Sequence, residues 1–93
     1  LGVTDSEQNF AFNVSPNPLL TNGTVNLEVK ESNNYLVSVL DVAGREIAEL
    51  HKGSLASGVH RFDVSRQMFS SAGVYLIQVQ ADGLRTIKKL IVQ

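Results

Sequence analysis

The chain has 93 residues, of which 43% are hydrophobic, and a formal net charge of −1. One domain is expected, because single hydrophobic cores usually occupy about 50 to 250 residues. The near-neutral charge argues against a nucleic-acid-binding protein, which holds phosphates with clustered Lys and Arg. No stretch approaches the roughly 20 apolar residues of a membrane-spanning helix. The absence of cysteine excludes disulfides, thiolate metal sites and cysteine nucleophiles.

The first nine residues differ in composition from the rest of the chain. The stretch Leu1-Gly2-Val3-Thr4-Asp5-Ser6-Glu7-Gln8 is small and polar, as is typical of a linker, and it starts with Leu rather than Met. We therefore expect residues 1–9 to connect an upstream cargo domain to a folded domain at residues 10–93.

Two half-buried strands are predicted in the first third of that domain. Residues 10–14 alternate apolar and polar side chains with a period of two, and Pro16-Asn17-Pro18 ends this strand because each proline ring removes a ladder donor. After Asn22-Gly23, residues 24–30 alternate in the same way.

A central hairpin is predicted next. Tyr35 to Val42 is rich in β-branched and apolar residues, so we expect a central strand that is covered on both faces. Asp41 and Gly44 close it, since Asp bonds the amides ahead of it and Gly accepts the positive φ of a tight turn. Arg45 to Lys52 forms the returning arm, and residues 54–58 are expected to be a loop.

The last part of the chain predicts three further elements. Residues 60–64 alternate as a strand, and Ser65 to Ser71 lacks alternation and fits one short helical turn that places Met68 and Phe69 at an end of the core. Asp82-Gly83 is a type I′ hairpin signal between two more strands. Six or seven short strands without a long helical pattern favour a β-sandwich.

No arrangement of residues predicts catalysis, a metal or a cofactor. His51 and His60 lack partners at ligand spacing, and His60 is expected to be a core or rim residue. Asp41 is better explained by the turn than by a calcium loop. Serines occur without a nucleophile elbow or an orienting acid and base. Tyr75 alternates with buried positions and is expected in the core. The chain is not expected to be an enzyme.

Four segments, taken in order, resemble one known family. They are Ser15-Pro16-Asn17-Pro18, residues 39–47, Gly73-Val74-Tyr75-Leu76-Ile77 and Lys88-Lys89-Leu90-Ile91-Val92. Together they resemble the type IX secretion C-terminal sorting domain of Bacteroidetes. The positions that match its motifs are Pro16, Asn17 and Pro18 in the proline box, Asp41 and Gly44 in the central turn, Gly73 and Tyr75 in the penultimate strand, and Lys88 and Lys89 in the basic box.

The resemblance implies a fold and a route. The fold is an all-β, immunoglobulin-like antiparallel sandwich of about seven strands. The domain would direct its cargo from the periplasm through the outer-membrane type IX translocon, after which a sortase-like peptidase would remove it and leave the cargo on the cell surface or released. We expect the final strand and its lysines to form part of the docking face, through a sheet edge to which a partner adds a strand. Cleavage is expected within Leu1 to Gln8.

Two alternatives share this fold. One is an immunoglobulin-like accessory or carbohydrate-binding module that is retained in a secreted enzyme, and it requires an exposed aromatic platform, for which Tyr35 is the better candidate. The other is a homodimer that exchanges its first strand, which follows a linker.

Overall fold

The computed structural model describes residues 10–93, which form seven strands and one short 3-10 helix. The predicted linker at residues 1–9 lies outside the described residues. The strands are β1 (Phe10–Ser15), β2 (Asn22–Val29), β3 (Asn33–Asp41), β4 (Glu46–Leu55), β5 (Gly58–Ser65), β6 (Gly73–Ala81) and β7 (Leu84–Val92), and the 3-10 helix is Arg66–Met68. In this part of the chain no helix is long and apolar enough to cross a membrane.

The strands form two antiparallel sheets, which we call sheet A and sheet B. Sheet A has the order β1-β2-β5, and sheet B has the order β4-β3-β6-β7. In sheet B, β7 lies at one edge and β4 at the other. The arrangement confirms the predicted immunoglobulin-like antiparallel β-sandwich.

The core lies between the sheets and follows from the period-two alternation of each strand, which sends every second side chain inward. β1 buries its first, third and fifth side chains, and β6 buries Tyr75, Ile77, Val79 and Ala81. The side chains with no exposed surface are Leu19, Val25, Leu27, Val37, Val39, Ile77, Val79, Leu90 and the small polar Ser38.

The predicted short elements are also present. The 3-10 helix follows β5, its first turn is capped by the Ser65 hydroxyl, which accepts from the Gln67 amide at 3.2 Å, and Phe69 closes one end of the core at 4% exposure. Asp82 and Gly83 have φ values of 52° and 77°, as a type I′ turn requires.

Two boundaries were predicted wrongly. β4 continues to Leu55 instead of ending before a loop at residues 54–58, because β3 begins at Asn33 and supplies ladder partners to Ser54 and Leu55. Val42 was expected in a strand covered on both faces, but the ladder ends at Asp41, and Val42 lies in the turn with 70% of its surface exposed.

We predict that Gly23→Ala destabilises the domain by about 1 to 3 kcal/mol through overpacking. An added Cβ would lie 2.8 Å from Leu19 Cδ1 and 3.1 Å from the Ser15 carbonyl oxygen. Urea unfolding of Gly23→Ala, Leu19→Ala and the double variant measures the coupling. The double variant should be less destabilised than the sum of the single variants, and strict additivity would show that this contact is unimportant.

Candidate functional site

The proline segment lies along the outer edge of β7. The Asn17 side-chain amide donates to the Lys89 carbonyl oxygen at 3.0 Å, and its oxygen accepts from the Ile91 amide at 3.0 Å. One carboxamide therefore makes the donor and acceptor bonds that a backbone residue of a neighbouring strand would make. The first and last motifs of the sequence are in direct contact.

Leu19 extends this pairing through its backbone. Its amide donates to the Ile91 carbonyl at 2.7 Å, and its carbonyl accepts from the Gln93 amide at 2.9 Å. Its side chain is fully buried. We call the contacts of Asn17 and Leu19 with β7 the edge clamp. The edge clamp pairs the outer edge of β7 from the Lys89 carbonyl to the Gln93 amide, so this stretch of the edge has no free ladder groups for a partner strand.

Arg66 secures the same end of β7. Its Nε donates to the Gln93 carbonyl at 2.8 Å, its Nη1 donates to the Phe69 carbonyl at 3.0 Å, and its amide donates to the Thr21 carbonyl at 2.7 Å. Sequence reasoning missed Arg66, because its partners are carbonyl groups that no motif marks. It also missed Leu19.

The central turn is organised by Asp41. Asp41 Oδ1 accepts from the amides of Ala43 and Arg45, both at 2.9 Å, and Oδ2 accepts from Arg45 Nε at 2.8 Å. Gly44 has a φ of 88°, which favours glycine. The Arg45 amide chiefly, and the Arg45 guanidinium in addition, lower the pKa of the Asp41 carboxyl. The predicted turn chemistry is present.

Gly73 and Tyr75 form the end of β6 next to this turn. Tyr75 pairs with Asp41 on one side and Leu90 on the other, and Gly73 pairs with Val92. The Tyr75 ring packs against Phe69 with centroids 4.5 Å apart, and its hydroxyl donates to the Ser71 carbonyl at 2.8 Å. Tyr75 is 8% exposed, so it is a core residue, as its alternation predicted.

The two lysines of the basic box point to opposite faces of sheet B, because successive strand residues alternate. Lys88 is on the inward row and places its Nζ 5.4 Å from the centre of the Phe12 ring on β1. Lys89 is on the outer face and is exposed. The adjacent pair therefore does not form one basic patch.

The structure brings the four motif segments together at one end of the sandwich. Asp41, Tyr75 and Leu90 form one cross-strand row, and Asn17 contacts β7 beside it. Of the predicted positions, Lys88 stands apart, since it faces Phe12 across the gap between the sheets.

The histidines and aromatic rings have structural roles. His51 Nε2 lies 3.2 Å from the Gly53 carbonyl and His60 Nε2 lies 2.8 Å from the Ala56 carbonyl. Between residues 10 and 93 no group of three or more His, Cys, Asp or Glu could hold a metal ion.

Tyr35, the expected stacking platform of the alternative module, is 2% exposed, so this expectation was wrong. Its ring packs edge-on against Phe10 with centroids 5.6 Å apart, and its hydroxyl donates to the Glu31 carbonyl at 3.2 Å. Burial raises the pKa of the Tyr35 hydroxyl, and the charges of Glu31 and Asp82 raise it further.

A sequence model of the secretion system C-terminal sorting domain matches residues 13–93, a range that contains all four motif segments. The chain belongs to this family. A search of curated proteins gave no match. The sorting domain is thus a type IX secretion signal, and membership implies export of the protein that carries it across the outer membrane, to the surface or the medium.

We predict that Asn17→Ala lowers the free energy of unfolding by about 1 to 2 kcal/mol, because two hydrogen bonds worth about 1 kcal/mol each are lost. Hydrogen exchange of the Ile91 amide should accelerate, since that amide loses its acceptor. Asn13→Ala is the control, because Asn13 is another exposed Asn of this region and bonds only the Asn26 side chain, at 3.2 Å. Unchanged exchange at Ile91 in Asn17→Ala would contradict the edge clamp.

We predict that Asp41→Asn removes a pH-dependent part of the stability. The folded pKa of Asp41 is lowered, so its contribution is complete above the unfolded pKa and is lost as the pH falls through the folded pKa. The stability difference between wild type and Asp41→Asn should therefore shrink in acid. Arg45→Gln should keep much of this effect, because the backbone amide of Arg45 is the largest cause. A difference that stays constant from neutral pH to acid would contradict this assignment.

Proposed function

We propose that this sorting domain directs an upstream cargo from the periplasm through the outer-membrane type IX translocon, and that a sortase-like peptidase then removes it at the cell surface. The observation that carries the proposal is the convergence, at one end of the sandwich, of the four motif segments within the family match. It supports a single recognition surface at that end.

A sorting signal must present the same surface on any cargo. The edge clamp and Arg66 hold the end of β7 entirely through contacts within residues 17–93. The geometry of the motif end therefore does not depend on the cargo, which favours a portable signal.

The structure narrows where a partner strand could add. Backbone groups of an edge strand point outward at every second residue, and Ile91 uses both of its groups in the edge clamp. By the same alternation Arg85 and Ile87 direct theirs away from β6. Strand addition at β7 is therefore confined to the half that begins at Leu84 and ends at Lys89, unless the edge clamp opens.

Processing is proposed within Leu1 to Gln8. Phe10 is 3% exposed and is the first residue of β1, so a protease that cut within β1 would have to open the sheet. Terminal sequencing of the surface product tests this point, and a cut inside the sandwich would refute it.

A reporter fused to residues 1–93 and expressed in a type IX-competent host should reach the cell surface or the medium. Deletion of Lys88 to Gln93 should trap it in the periplasm, but that deletion also removes the buried Leu90 and Val92 and so tests folding as well as docking. Lys89→Ala is the sharper variant and should cause several-fold periplasmic accumulation of the reporter.

Lys52→Ala is the matched control for Lys89→Ala. Lys52 is an exposed lysine on the same outer face, on the opposite edge strand β4, and it pairs with Leu36. Equal export of the two variants would remove Lys89 from the docking face. Periplasmic retention of the wild-type fusion would defeat the proposed function.

A further inference from the structure

The outer faces of the two sheets differ in chemistry. An antiparallel sheet of a sandwich usually shows polar side chains to solvent. Sheet A follows this rule with Asn13, Ser15, Thr24, Asn26, Glu28, Arg61 and Asp63, and its exceptions are Ala11 and Val59. Sheet B instead places six aliphatic residues on its outer face: Leu36, Leu40, Val74, Leu76, Ile87 and Ile91. The outer face of sheet B is therefore more apolar than that of sheet A, and it also carries Gln78, Gln80, Arg85 and Lys89.

At the motif end, four exposed aliphatic side chains lie on or beside this face, and Ile87, which is 38% exposed, lies farther along β7. Val42 is 70% exposed, Val74 42%, Ile91 37% and Ile47 36%. We call these four residues the apolar patch. Val74 and Ile91 are cross-strand partners, and Val42, Ile47 and Val74 line one open groove. The patch is thus continuous across four elements of the fold.

All four members of the apolar patch lie inside the motif segments, and Ile47 is the last residue of the segment 39–47. Val42 is between Asp41 and Gly44, Val74 is between Gly73 and Tyr75, and Ile91 belongs to the segment that follows the lysines. Three of the motif residues make contacts within the fold. Asp41 accepts hydrogen bonds from its own turn, Tyr75 is buried, and Asn17 bonds the backbone of Ile91. The side chains left facing outward are those of the apolar patch.

The backbone at two members of the apolar patch is fixed by hydrogen bonds within the domain. The backbone of Ile91 is fixed on both its amide and its carbonyl by the edge clamp, and Val42 is enclosed by the hydrogen bonds of the Asp41 turn. Little ordering entropy is then lost on binding, which favours recognition by a small surface.

The β7 flank of the apolar patch is basic, whereas Glu46 lines the groove on the β4 side. Lys89 follows Ile91 on the outer row of β7, and Arg85 lies beyond Ile87 on the same row. The one ion pair within residues 10–93 joins Asp41 to Arg45. The charges of Lys89 and Arg85 are therefore available to carboxylates of a partner. The four side chains cannot supply the roughly 800 Å² per partner of a standard stable interface, so their contact fits a transient encounter.

We propose that the apolar patch is the docking site for a receptor protein of the type IX machinery, whose matching surface is aliphatic and places a carboxylate opposite Lys89. This inference rests on the proposed function. It assigns recognition to Lys89 and to the aliphatic residues beside the other motif positions, and it assigns Asn17, Asp41 and Tyr75 to support of the fold.

The test compares two exposed strand valines in the reporter fusion. Val74→Asp alters the apolar patch, and Val59→Asp alters a valine that is 61% exposed on the outer face of sheet A. Val74→Asp should leave several-fold more reporter in the periplasm than wild type, and Val59→Asp should be exported normally. Val42→Asp should behave as Val74→Asp does. Because Val42 lies in a turn and not in a strand, this substitution leaves the strand pairing intact. Thermal unfolding of the purified domains should be similar for all three variants.

Each outcome decides between the two proposals. If the wild-type fusion is exported and Val74→Asp and Val42→Asp are exported equally well, the apolar patch is not the docking site, although the sorting function stands. Retention of Val59→Asp as well would overturn the inference, because the defect would not depend on the face. Light scattering that finds a dimer which Val74→Asp dissolves would assign the patch to a second copy and overturn the receptor. Failure of the wild-type fusion overturns both proposals.

Discussion

The structure depends on how the edge of β7 is closed. A free sheet edge is a template for pairing with other chains, and proteins cover such edges or place charges on them. Here the chain covers half of the edge with its own residues 17–19. Pro16 and Pro18 suit this task because they have no amide that would be left unpaired. The ladder bonds are made by the residues that alternate with them, Asn17 through its side chain and Leu19 through its backbone.

At the motif end, the residues that stabilise the fold differ from those whose side chains are exposed to solvent. The polar groups of the edge clamp, Asp41 and Tyr75 form hydrogen bonds within the domain. The side chains of the apolar patch and of Lys89 remain exposed, and they come from the β3–β4 turn, β4, β6 and β7. The contacts described for this surface join residues within 17–93.

Sequence patterns predicted the elements whose cause is local. The alternation of β1 and β6 predicted their inward rows correctly, because one face of each strand packs on the core. The Asp82-Gly83 pair predicted its turn correctly, because both residues adopt the positive φ that this turn requires. The end of β4 was missed because it is set by pairing with β3 about 20 residues away. The motif positions came from a resemblance, but their contacts, such as Asn17 with Lys89, join residues 72 apart, and no local pattern encodes them.

Two surfaces of β7 are candidates for the proposed recognition, and both belong to the same strand. The open half of its edge offers backbone groups near Arg85 and Ile87, whereas the apolar patch offers the side chain of Ile91 on the outer face. A change within β7 affects both, so it cannot separate strand addition from face docking. Val42 and Val74 lie on other elements, away from that edge, and alter only the face. Dependence of export on these two residues would therefore point to the outer face of sheet B, and independence from them would point to the edge.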